Sequence, residues 1–402
     1  MIKRTLQELC LNITDGKHGD CENEGNSGYY FISCKDIFDG QINYKNARQI
    51  TKADFEETHK RTMLEVDDIL LTNSGTIGRM AFVTDREATT KTTFQKSVAI
   101  IKPDKQKVLP RYLYYQLQNC VPQFINSSNG SAQKNLLLST MRTFQIEIEE
   151  NREKQEKIAN TLSAYDDLIE NNQKQIKLLE EAAQRLYKEW FVDLRFPGHE
   201  NTKIVDGVPE GWNWCKLEDA IQLDPKVTLT KERMKQFIPM SALSTSSMVL
   251  DESQFTETTS NSGSKFQNGD TLLARITPCL ENGKTAYVSG LKSSEGAVGS
   301  TEYIVMRAKT INAYMVYLLA RTDDFRQSAI NSMSGSDGRQ RVKSDKLKML
   351  DYLHPTSELV EKFENVEEPI FEKIYRLSKQ MQRAKQARDL LLPKLMSGEV
   401  EV

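Results

Sequence analysis

The sequence predicts an α+β protein in which two similar domains alternate with two long helices that pair as an antiparallel coiled coil. Three observations lead to this prediction. Sequence landmarks of the first third of the chain recur just over 200 residues later, in the same order. A helical segment follows each copy, and the two helical segments carry matching apolar stripes. The 402 residues are enough for two separate hydrophobic cores.

The repeat includes predicted strands, a predicted helix and a polar loop. Short β-branched and aromatic runs between Gly, Asn and Ser clusters are typical of strands, and a Tyr/Leu segment of helical character follows them. Between the first two landmarks, the second copy carries three extra residues. The matched pairs are DILLTN at 68–73 with DTLLAR at 270–275, GRMAFV at 78–83 with GKTAYV at 283–288, LPRYLYYQL at 109–117 with INAYMVYLL at 311–319, and GSAQKN at 130–135 with GSDGRQR at 335–341.

The two helical segments repeat each other at a constant offset of 205, and their apolar residues have the alternating spacing of a coiled-coil seam. We predict that each segment breaks into a short and a long helix, before Ala164 and before Pro369, because Pro is favoured at the first helical position. The first seam is Ile158, Leu162, Tyr165, Ile169, Asn172, Ile176, Leu179, Ala183, Leu186 and Trp190. The second is Phe363, Glu367, Ile370, Ile374, Leu377, Met381, Ala384, Arg388, Leu391 and Leu395.

These patterns divide the chain into four parts. Antiparallel pairing of the helices would give the chain an approximate internal two-fold axis, like that of duplex DNA, whereas parallel pairing would place the two domains side by side. The parts are an α+β domain at 1–150, a helical region at 151–195, a second α+β domain at 196–355 and a second helical region at 356–402.

Composition excludes several classes of protein. The net charge of -2, from 54 basic and 56 acidic side chains, does not by itself indicate a nucleic-acid binder. The six cysteines form no CxxC pair, which favours reduced thiols over disulfides or a zinc site. No apolar stretch is long enough to span a bilayer, and the first residues lack the features of a secretory signal, so we expect a cytoplasmic protein without a membrane partner.

The sequence offers no catalytic motif. An adenine methyltransferase needs N/D-P-P-Y/F, but Asp224-Pro225 is followed by Lys226. The GKT at 283–285 lacks the preceding Gly of a phosphate loop, because Pro278 occupies that position. The four histidines have no metal-binding spacing. We therefore predict no catalytic residue and no metal ligand in this chain.

Several stretches resemble the specificity (S) subunits of Type I restriction-modification systems, and the resemblance covers the whole chain. The helical stretch is the most specific of them. The stretches are DGKHGD at 15–20, GYYFISCKDIFDG at 28–40, ENREKQEKIANTLSAYDDLIENNQKQIKLLEEAAQRLYKEWFVDLRFPG at 150–198, PEGW at 209–212 and LLPKLMSGEVEV at 391–402.

The resemblance implies a non-catalytic subunit that recognises double-stranded DNA. Each α+β domain would be a target-recognition domain for one half of a bipartite, asymmetric site, and the helices would set the spacing and bind the partners. The implied partners are two adenine-N6 methyltransferase (M) subunits and, in the complete complex, ATP-dependent restriction (R) subunits. No cofactor is expected in this chain, whereas S-adenosylmethionine, ATP and magnesium are expected on the partners.

Two sets of candidate residues follow. Base edges and phosphates are contacted by amide, guanidinium, hydroxyl and ammonium groups on exposed loops, and exposed apolar side chains mark protein interfaces. The DNA-binding candidates are Lys17, His18, Asn73, Ser74, Thr76, Arg79, Lys91, Thr93, Gln95, Gln133, Lys134, Asn135, Arg275, Thr277, Arg339, Gln340, Arg341 and Lys343. The partner-interface candidates, which lie off the seam, are Leu168, Leu178, Phe191, Val366 and Phe371.

Two alternatives remain open at this stage. One is the specificity subunit of a related system with a fused or differently built nuclease, which the neighbouring genes would distinguish. The other is a coiled-coil scaffold that joins two ligand-binding domains unrelated to DNA. Coexpression with an adenine methyltransferase, followed by sequencing for N6-methyladenine, would separate the scaffold from the DNA-recognition subunit.

Overall fold

The structure, a computed structural model, describes residues 1–84, 87–128, 135–336 and 338–401. The chain forms two compact units. The first unit comprises residues 1–168 together with 384–402, and the second comprises residues 169–383. Each unit contains both helices and strands, which confirms the predicted α+β class.

The first unit contains one α+β domain, the beginning of a long helix and the end of another. Its strands are β1 (Ile2–Thr5), β2 (Cys10–Asp15), β3 (Tyr30–Ile32), β4 (Ile37–Phe38), β5 (Gln41–Ile42), β6 (Arg48–Gln49), β7 (Ile69–Thr72), β8 (Met80–Phe82), β9 (Thr92–Phe94), β10 (Val98–Pro103) and β11 (Gln145–Ile148). Its helices are α1 (Lys52–Thr62), α2 (Pro110–Asn119), α3 (Val121–Asn126), α4 (Leu138–Thr143) and the first part of α5 (Arg152–Tyr187).

The second unit has the same kinds of element. Its strands are β12 (Ile204–Val205), β13 (Val208–Pro209), β14 (Asn213–Lys216), β15 (Ile221–Leu223), β16 (Lys235–Ile238), β17 (Thr256–Thr258), β18 (Ser264–Phe266), β19 (Thr271–Ala274), β20 (Thr285–Tyr287), β21 (Ala297–Gly299), β22 (Tyr303–Ala308) and β23 (Asp351–His354). Its helices are the rest of α5, then α6 (Leu217–Ala220), α7 (Ala313–Arg321), α8 (Asp323–Asn331), α9 (Ser344–Lys348) and most of α10 (Ser357–Ser397).

Equivalent sheets confirm the repeat that the sequence predicts. Each unit has a sheet of four antiparallel strands, in the order β2-β10-β7-β8 in the first and β15-β22-β19-β20 in the second. The matched sequences at 68–73 and 270–275 contain β7 and β19, and those at 78–83 and 283–288 contain β8 and β20. Each unit also has a parallel strand pair, β3 with β9 and β16 with β21.

Burial explains the sequence character of these central elements. Strands β7 and β19 are buried at every position, as expected for strands covered on both faces of a sheet. Helix α2 packs on β8 and buries Tyr112 and Tyr115, whereas α7 packs on β19, β20 and β22. Helix α7 begins where the Asn312 side-chain oxygen accepts a hydrogen bond from the backbone N–H of Met315.

The two long helices pair in antiparallel fashion within each unit, as predicted. In the second unit the Phe363 ring lies 5.3 Å from the Trp190 ring, and the Asn172 amide donates to Gln380 Oε1 at 3.2 Å. In the first unit Ile158 and Leu162 share a hydrophobic core with Leu395 and Met396, and Arg388 Nη1 lies 2.7 Å from Asp166 Oδ1. In both units, later residues of α5 contact earlier residues of α10.

The predicted breaks in the helices are wrong. Helix α5 continues through Ala164 and ends in a π-helical turn at Lys188–Val192, and α10 continues through Pro369. A proline inside a helix costs about 3 kcal/mol because one backbone hydrogen bond is lost. The neighbouring Phe363 and Phe371 are 0% and 3% exposed. Burial of these two rings offsets that cost.

Candidate nucleic-acid interface

Polar loops come together at one end of the sheets in the first unit. Lys17 forms a parallel bridge with Gln95, and Ser74 forms an antiparallel bridge with Asn135. The backbone N–H of Asn73 donates to the Ser97 carbonyl at 3.1 Å, which joins these two pairs. We call residues 16–18, 73–79, 95–97 and 135–136 loop cluster 1.

Small and hydroxyl side chains explain why loop cluster 1 folds as it does. A Cβ atom at Gly16 would lie 1.9 Å from the Phe94 carbonyl oxygen, so only glycine allows the two segments to approach. Thr72 closes the loop after β7, since its hydroxyl donates to the Thr76 carbonyl and accepts from the N–H of Arg79 at 2.9 Å. The loop therefore presents residues 74–79 in one fixed arrangement.

The second unit gathers equivalent loops. Ile276 and Ser334 both form antiparallel bridges with Arg341, and the N–H of Thr277 donates to the Gln340 carbonyl at 3.1 Å. We call residues 275–283, 300–302 and 334–342 loop cluster 2; Asp337 lies outside the described residues.

The two clusters share two equivalent backbone hydrogen bonds. In cluster 1, the N–H of Asn73, after β7, donates to the carbonyl of Ser97, before β10, at 3.1 Å. In cluster 2, the corresponding bond from Arg275 to Glu302 is 3.0 Å. The N–H of Leu136 donates to the carbonyl of Asn73 at 2.8 Å, and in cluster 2 the N–H of Val342 donates to the carbonyl of Arg275 at 2.9 Å. The equivalent residues are Asn73 and Arg275, Ser97 and Glu302, and Leu136 and Val342.

Two predicted DNA-binding residues of loop cluster 1, Lys17 and His18, lie beside carboxylates of their own unit. Lys17 Nζ lies 3.1 Å from Glu57 Oε2 and 3.2 Å from Asp54 Oδ1, and the hydrogen bond that Lys17 donates to Glu57 raises the pKa of Lys17. Its positive charge is therefore compensated within the unit. His18 is exposed, and its Nε2 lies 3.0 Å from Asp15 Oδ2.

Other predicted residues of the first unit are available to solvent. Thr76, Arg79, Lys91 and Asn135 are exposed, and Ser74 and Gln95 are partly buried. Within the described part of the chain, Arg79 and Lys91 have no carboxylate partner. Their charges can therefore contact a DNA phosphate without first breaking an ion pair. Gln133 and Lys134 lie outside the described residues.

Asn73 and Thr93 are corrections to the prediction. Asn73 is 4% exposed, because it directly follows the buried strand β7, and its Oδ1 atom is enclosed. Thr93 is 0% exposed at the centre of β9, where its hydroxyl lies 3.3 Å from that of Thr62 on α1. Neither side chain can reach a base edge. Polar side-chain chemistry alone does not show that these two residues face the interior of the unit.

The candidates of the second unit differ in their partners. The Arg341 guanidinium binds the Glu302 carboxylate, with Nε 2.9 Å from Oε2 and Nη2 2.7 Å from Oε1. This hydrogen bond lowers the pKa of Glu302, so the carboxylate stays charged. Arg275 is partly buried and donates from Nε to the Val342 carbonyl at 3.0 Å.

The remaining candidates lie on the last loop of cluster 2 and beside the Pro278 turn. Arg339 and Lys343 are exposed, Gln340 is partly buried, and Thr277 is partly buried. The Thr277 hydroxyl is enclosed and has no hydrogen-bond partner among the described residues. Arg339 and Lys343 are thus the freer cations of this cluster.

Sequence reasoning missed Ser97 and the role of Glu302. Ser97 holds cluster 1 together, since its hydroxyl accepts from the N–H of Cys34 at 3.2 Å and its carbonyl accepts from Asn73. Glu302 does the same for the backbone of cluster 2 and also binds Arg341. Extending the repeat alignment from β7 and β19 to the strands β10 and β22 would have matched these two residues.

The apolar candidates on the helices divide into two groups. Leu178 is 64% exposed and Val366 is 43% exposed, and Leu168 is partly buried. Phe371 is a correction, because it is 3% exposed and packs against the rings of Tyr287, Tyr314 and Tyr317.

Phe191 is partly buried. It belongs to the π-helical turn after α5, where its ring lies 4.8 Å from Phe363 and 6.0 Å from Trp212. A residue off the seam of one helix can thus be covered by another part of its own unit. Leu178 and Val366 remain as exposed apolar candidates.

The described residues contain no cluster of three or more metal-ligating side chains, and none of their helices is long and apolar enough to cross a membrane. What the geometry defines is a protein with two homologous α+β domains, each of which presents a cluster of polar loops on the same backbone framework.

Comparison with known proteins agrees with this class. A family described as "Type I restriction modification DNA specificity domain" matches residues 5–181. The chain is 28% identical over 386 residues to the Type I restriction enzyme MjaIX specificity subunit of Methanocaldococcus jannaschii, which covers 92% of this chain and 87% of that protein. It is 35% identical over 140 residues to the Type I restriction enzyme EcoAI specificity subunit of Escherichia coli. These residues cover 34% of this chain and 24% of that protein.

The fold has a solved counterpart. The crystal structure of a Type I restriction-modification S subunit from M. genitalium superposes with a TM-score of 0.59 at 15% identity and covers 98% of this chain and 95% of that one. The comparisons thus match residues 5–181 to the DNA specificity domain of Type I restriction-modification systems and show that nearly the whole chain is similar to a specificity subunit. The resemblance that the sequence shows is therefore confirmed.

Proposed function

We infer that this chain is the DNA-recognition subunit of a Type I restriction-modification complex and has no catalytic role of its own. Loop cluster 1 binds one half of a bipartite, asymmetric site in double-stranded DNA, and loop cluster 2 binds the other. The observation that carries this proposal is the repeated loop framework, which presents different side chains in the two units. One framework with two sets of side chains suits the recognition of two different sequences.

The chemistry of the exposed side chains supports DNA as the ligand. Asn135 and Gln340 carry amides that can pair with adenine, and arginine can pair with guanine through two hydrogen bonds. The exposed Arg79, Lys91, Arg339 and Lys343 are suited to phosphates, which fix the position of a protein on the duplex. Residues 1–150 and 196–355 are accordingly the two target-recognition domains.

The helical regions 151–195 and 356–402 serve the other subunits. Helices α5 and α10 set the spacing between the half-sites, and the exposed Leu178 and Val366 contact the two methyltransferase subunits. S-adenosylmethionine, ATP and magnesium are bound by the methyltransferase and restriction subunits, not by this chain. Adenine-N6 methylation and ATP-dependent cleavage are activities of those partners, and the complex acts on DNA in the cytoplasm.

Coexpression with the methyltransferase subunit tests this proposal. Sequencing of the host DNA for N6-methyladenine should reveal a single bipartite, asymmetric motif that is absent when this chain is omitted. A complex that forms but methylates no defined sequence would contradict the proposal and favour a scaffold. The full assembly with restriction subunits should cleave DNA that lacks this methylation.

A further inference from the structure

The Arg341 side chain in loop cluster 2 is held in one orientation before any ligand binds. Its backbone N–H and carbonyl both bond to Ser334 at 3.0 Å. Its Nε and Nη2 atoms bind the two oxygens of Glu302 at 2.9 Å and 2.7 Å. Glu302 is fixed in turn, because its carbonyl accepts from Arg275 and its N–H donates to Ser300 Oγ at 3.2 Å. Main chain and side chain are thus both constrained.

This ion pair leaves one edge of the guanidinium unused. Arginine has five N–H donors, and Glu302 engages those of Nε and one on Nη2. Two donors on Nη1 and one on Nη2 remain, and Arg341 is 44% exposed. A parallel pair of N–H groups matches the O6 and N7 acceptors of guanine, whereas adenine presents one donor and one acceptor at the same place.

The neighbouring carboxylate favours a base over a phosphate at Arg341. Glu302 cancels the net charge of the pair and would repel a phosphate oxygen, but a guanine edge is neutral. Arg339 and Lys343 are exposed on the same loop, and neither has a carboxylate partner within the described ranges. The DNA backbone is therefore better served by these two side chains than by Arg341.

The first unit lacks this arrangement at the equivalent positions. Ser97 occupies the place of Glu302, and Asn135, which bridges Ser74, occupies the place of Arg341. The two backbone hydrogen bonds that anchor these positions are matched in both units, so at these positions the difference lies in the side chains. An arrangement present in only one unit can serve only one half-site.

We propose that Glu302 is a positioning residue that orients Arg341 to recognise one guanine in the half-site read by the second unit. This inference rests on the proposed function, since it names the base that loop cluster 2 selects. Pre-organisation has a physical benefit here, because holding a free arginine side chain in place costs up to about 2 kcal/mol of conformational entropy.

The test uses the complex with its methyltransferase subunit. Exchange of residues 1–150 first identifies the half-site read by the second unit. Duplexes are then prepared with 7-deazaguanine, which lacks the N7 acceptor, at each guanine of that half-site in turn. Wild-type complex should bind one of these duplexes roughly 10- to 100-fold more weakly. Arg341→Ala should lose this sensitivity and methylate sites with other bases at that position, and Glu302→Gln should lose most of it.

Two controls separate positioning from general damage. Arg339→Lys should keep the full 7-deazaguanine sensitivity, because it alters a phosphate contact. Asn135→Ala should relax only the other half-site, and a tryptophan fluorescence transition like that of the wild type shows that the second unit of Glu302→Gln is folded. If substitution of Arg341 weakened binding to all duplexes equally and made the affinity less dependent on salt, Arg341 would contact a phosphate, and the inference would be overturned.

Two further results would also be decisive. A second half-site without an invariant guanine, or a Glu302→Gln complex with unchanged base preference, would overturn the inference while the proposed function stands. A wild-type complex with no sequence-specific methylation would overturn the proposed function and this inference with it.

Discussion

The two units have the same framework but differ in the side chains that the framework presents. Loop clusters 1 and 2 have matching backbone hydrogen bonds, within 0.1 Å at the two bonds compared above. Leu136 and Val342, which anchor the last loop, are both 0% exposed. Asn135 and Arg341, one residue earlier, face outward and have different chemistry. The buried apolar anchors Leu136 and Val342 are alike in both units, and the residues that can meet a ligand are not.

A buried ion pair illustrates the part of the framework that is alike. In the first unit, Asp68 Oδ2 accepts from Lys102 Nζ at 2.8 Å and from the N–H three residues earlier at 2.9 Å. In the second, Asp270 accepts from Arg307 at 2.7 Å and again from the N–H three residues earlier at 2.8 Å. Both acids precede an equivalent central strand, β7 or β19, and fix its start.

The helix pair differs more between the units. In the first unit Asp166 accepts from Arg388 at 2.7 Å and from the Tyr115 hydroxyl at 2.6 Å. In the second unit Glu367 is 0% exposed, and neither of its oxygens has a partner among the described residues. Burial raises the pKa of Glu367 to about 7. One unit thus pairs its polar seam residue, and the other keeps a buried acid that is neutral below about pH 7.

The largest effect is expected from exchanging a whole domain. Replacing residues 1–150 by the corresponding domain of another specificity subunit should change one half of the methylated motif completely and leave the other half intact. The reason is that all of loop cluster 1 lies within residues 1–150. Sequencing for N6-methyladenine measures this. If both halves changed, the two clusters would not read DNA independently.

Phe371→Asp should unfold the second unit, at a cost of at least 4 kcal/mol, because it places a charge among three tyrosine rings. All three tryptophans, Trp190, Trp212 and Trp214, lie in this unit, so their fluorescence reports its unfolding selectively. Leu178→Asp is the matched variant. It should keep the fluorescence transition of the wild type but weaken capture of the methyltransferase subunit in a pull-down. Strong capture by Leu178→Asp would remove this residue from the partner interface.

The pH dependence of the second unit should depend on Glu367. Its pKa is raised on folding, so its contribution to stability is complete below its unfolded pKa of 4.5 and is lost as the pH rises through about 7. The wild-type unit should therefore lose about 3 kcal/mol of its free energy of unfolding between pH 5 and pH 8. Glu367→Met should not show this loss. Denaturation followed by tryptophan fluorescence at both pH values measures this difference.

Glu361, which is exposed on the same helix, provides the control for that experiment. Glu361→Gln should leave the wild-type pH dependence unchanged. Equal pH profiles for Glu367→Met and the wild type would show that the buried acid does not titrate in this range.

The smallest effect is expected at the ion pair of the first unit. Asp166→Asn removes a charge that binds Arg388 and Tyr115, but both charged side chains are 24% exposed, so the loss should be about 1 kcal/mol. Hydrogen exchange of residues 155–166 should become faster while the tryptophan transition stays in place. Glu372→Gln, at an exposed pair with Arg376, should have almost no effect. A shift in the tryptophan transition for Asp166→Asn would show that the two units do not unfold separately.

Much of the fold could be predicted from the sequence because the relevant signals are local. Strands β7 and β19 are continuous apolar runs, and the seam of α5 and α10 follows a fixed spacing, so both can be read from short segments. The exposed Arg79 and Arg339 were predictable in the same way, since they lie in polar, glycine-bounded loops.

Tertiary structure decided the rest, because burial and pairing depend on residues that are distant in sequence. Asn73 and Thr93 are polar loop-like residues that other strands and α1 enclose, and Phe371 is off the seam yet covered by tyrosines of its own unit. Helix α10 continues through Pro369 because packing of its neighbours outweighs one lost hydrogen bond. Likewise, Glu302 meets Arg341 only because the residue before β22 lies beside the last loop of cluster 2. A local pattern specifies which side chains are polar or apolar, but only the packing of the whole unit determines which of them remain free to bind DNA.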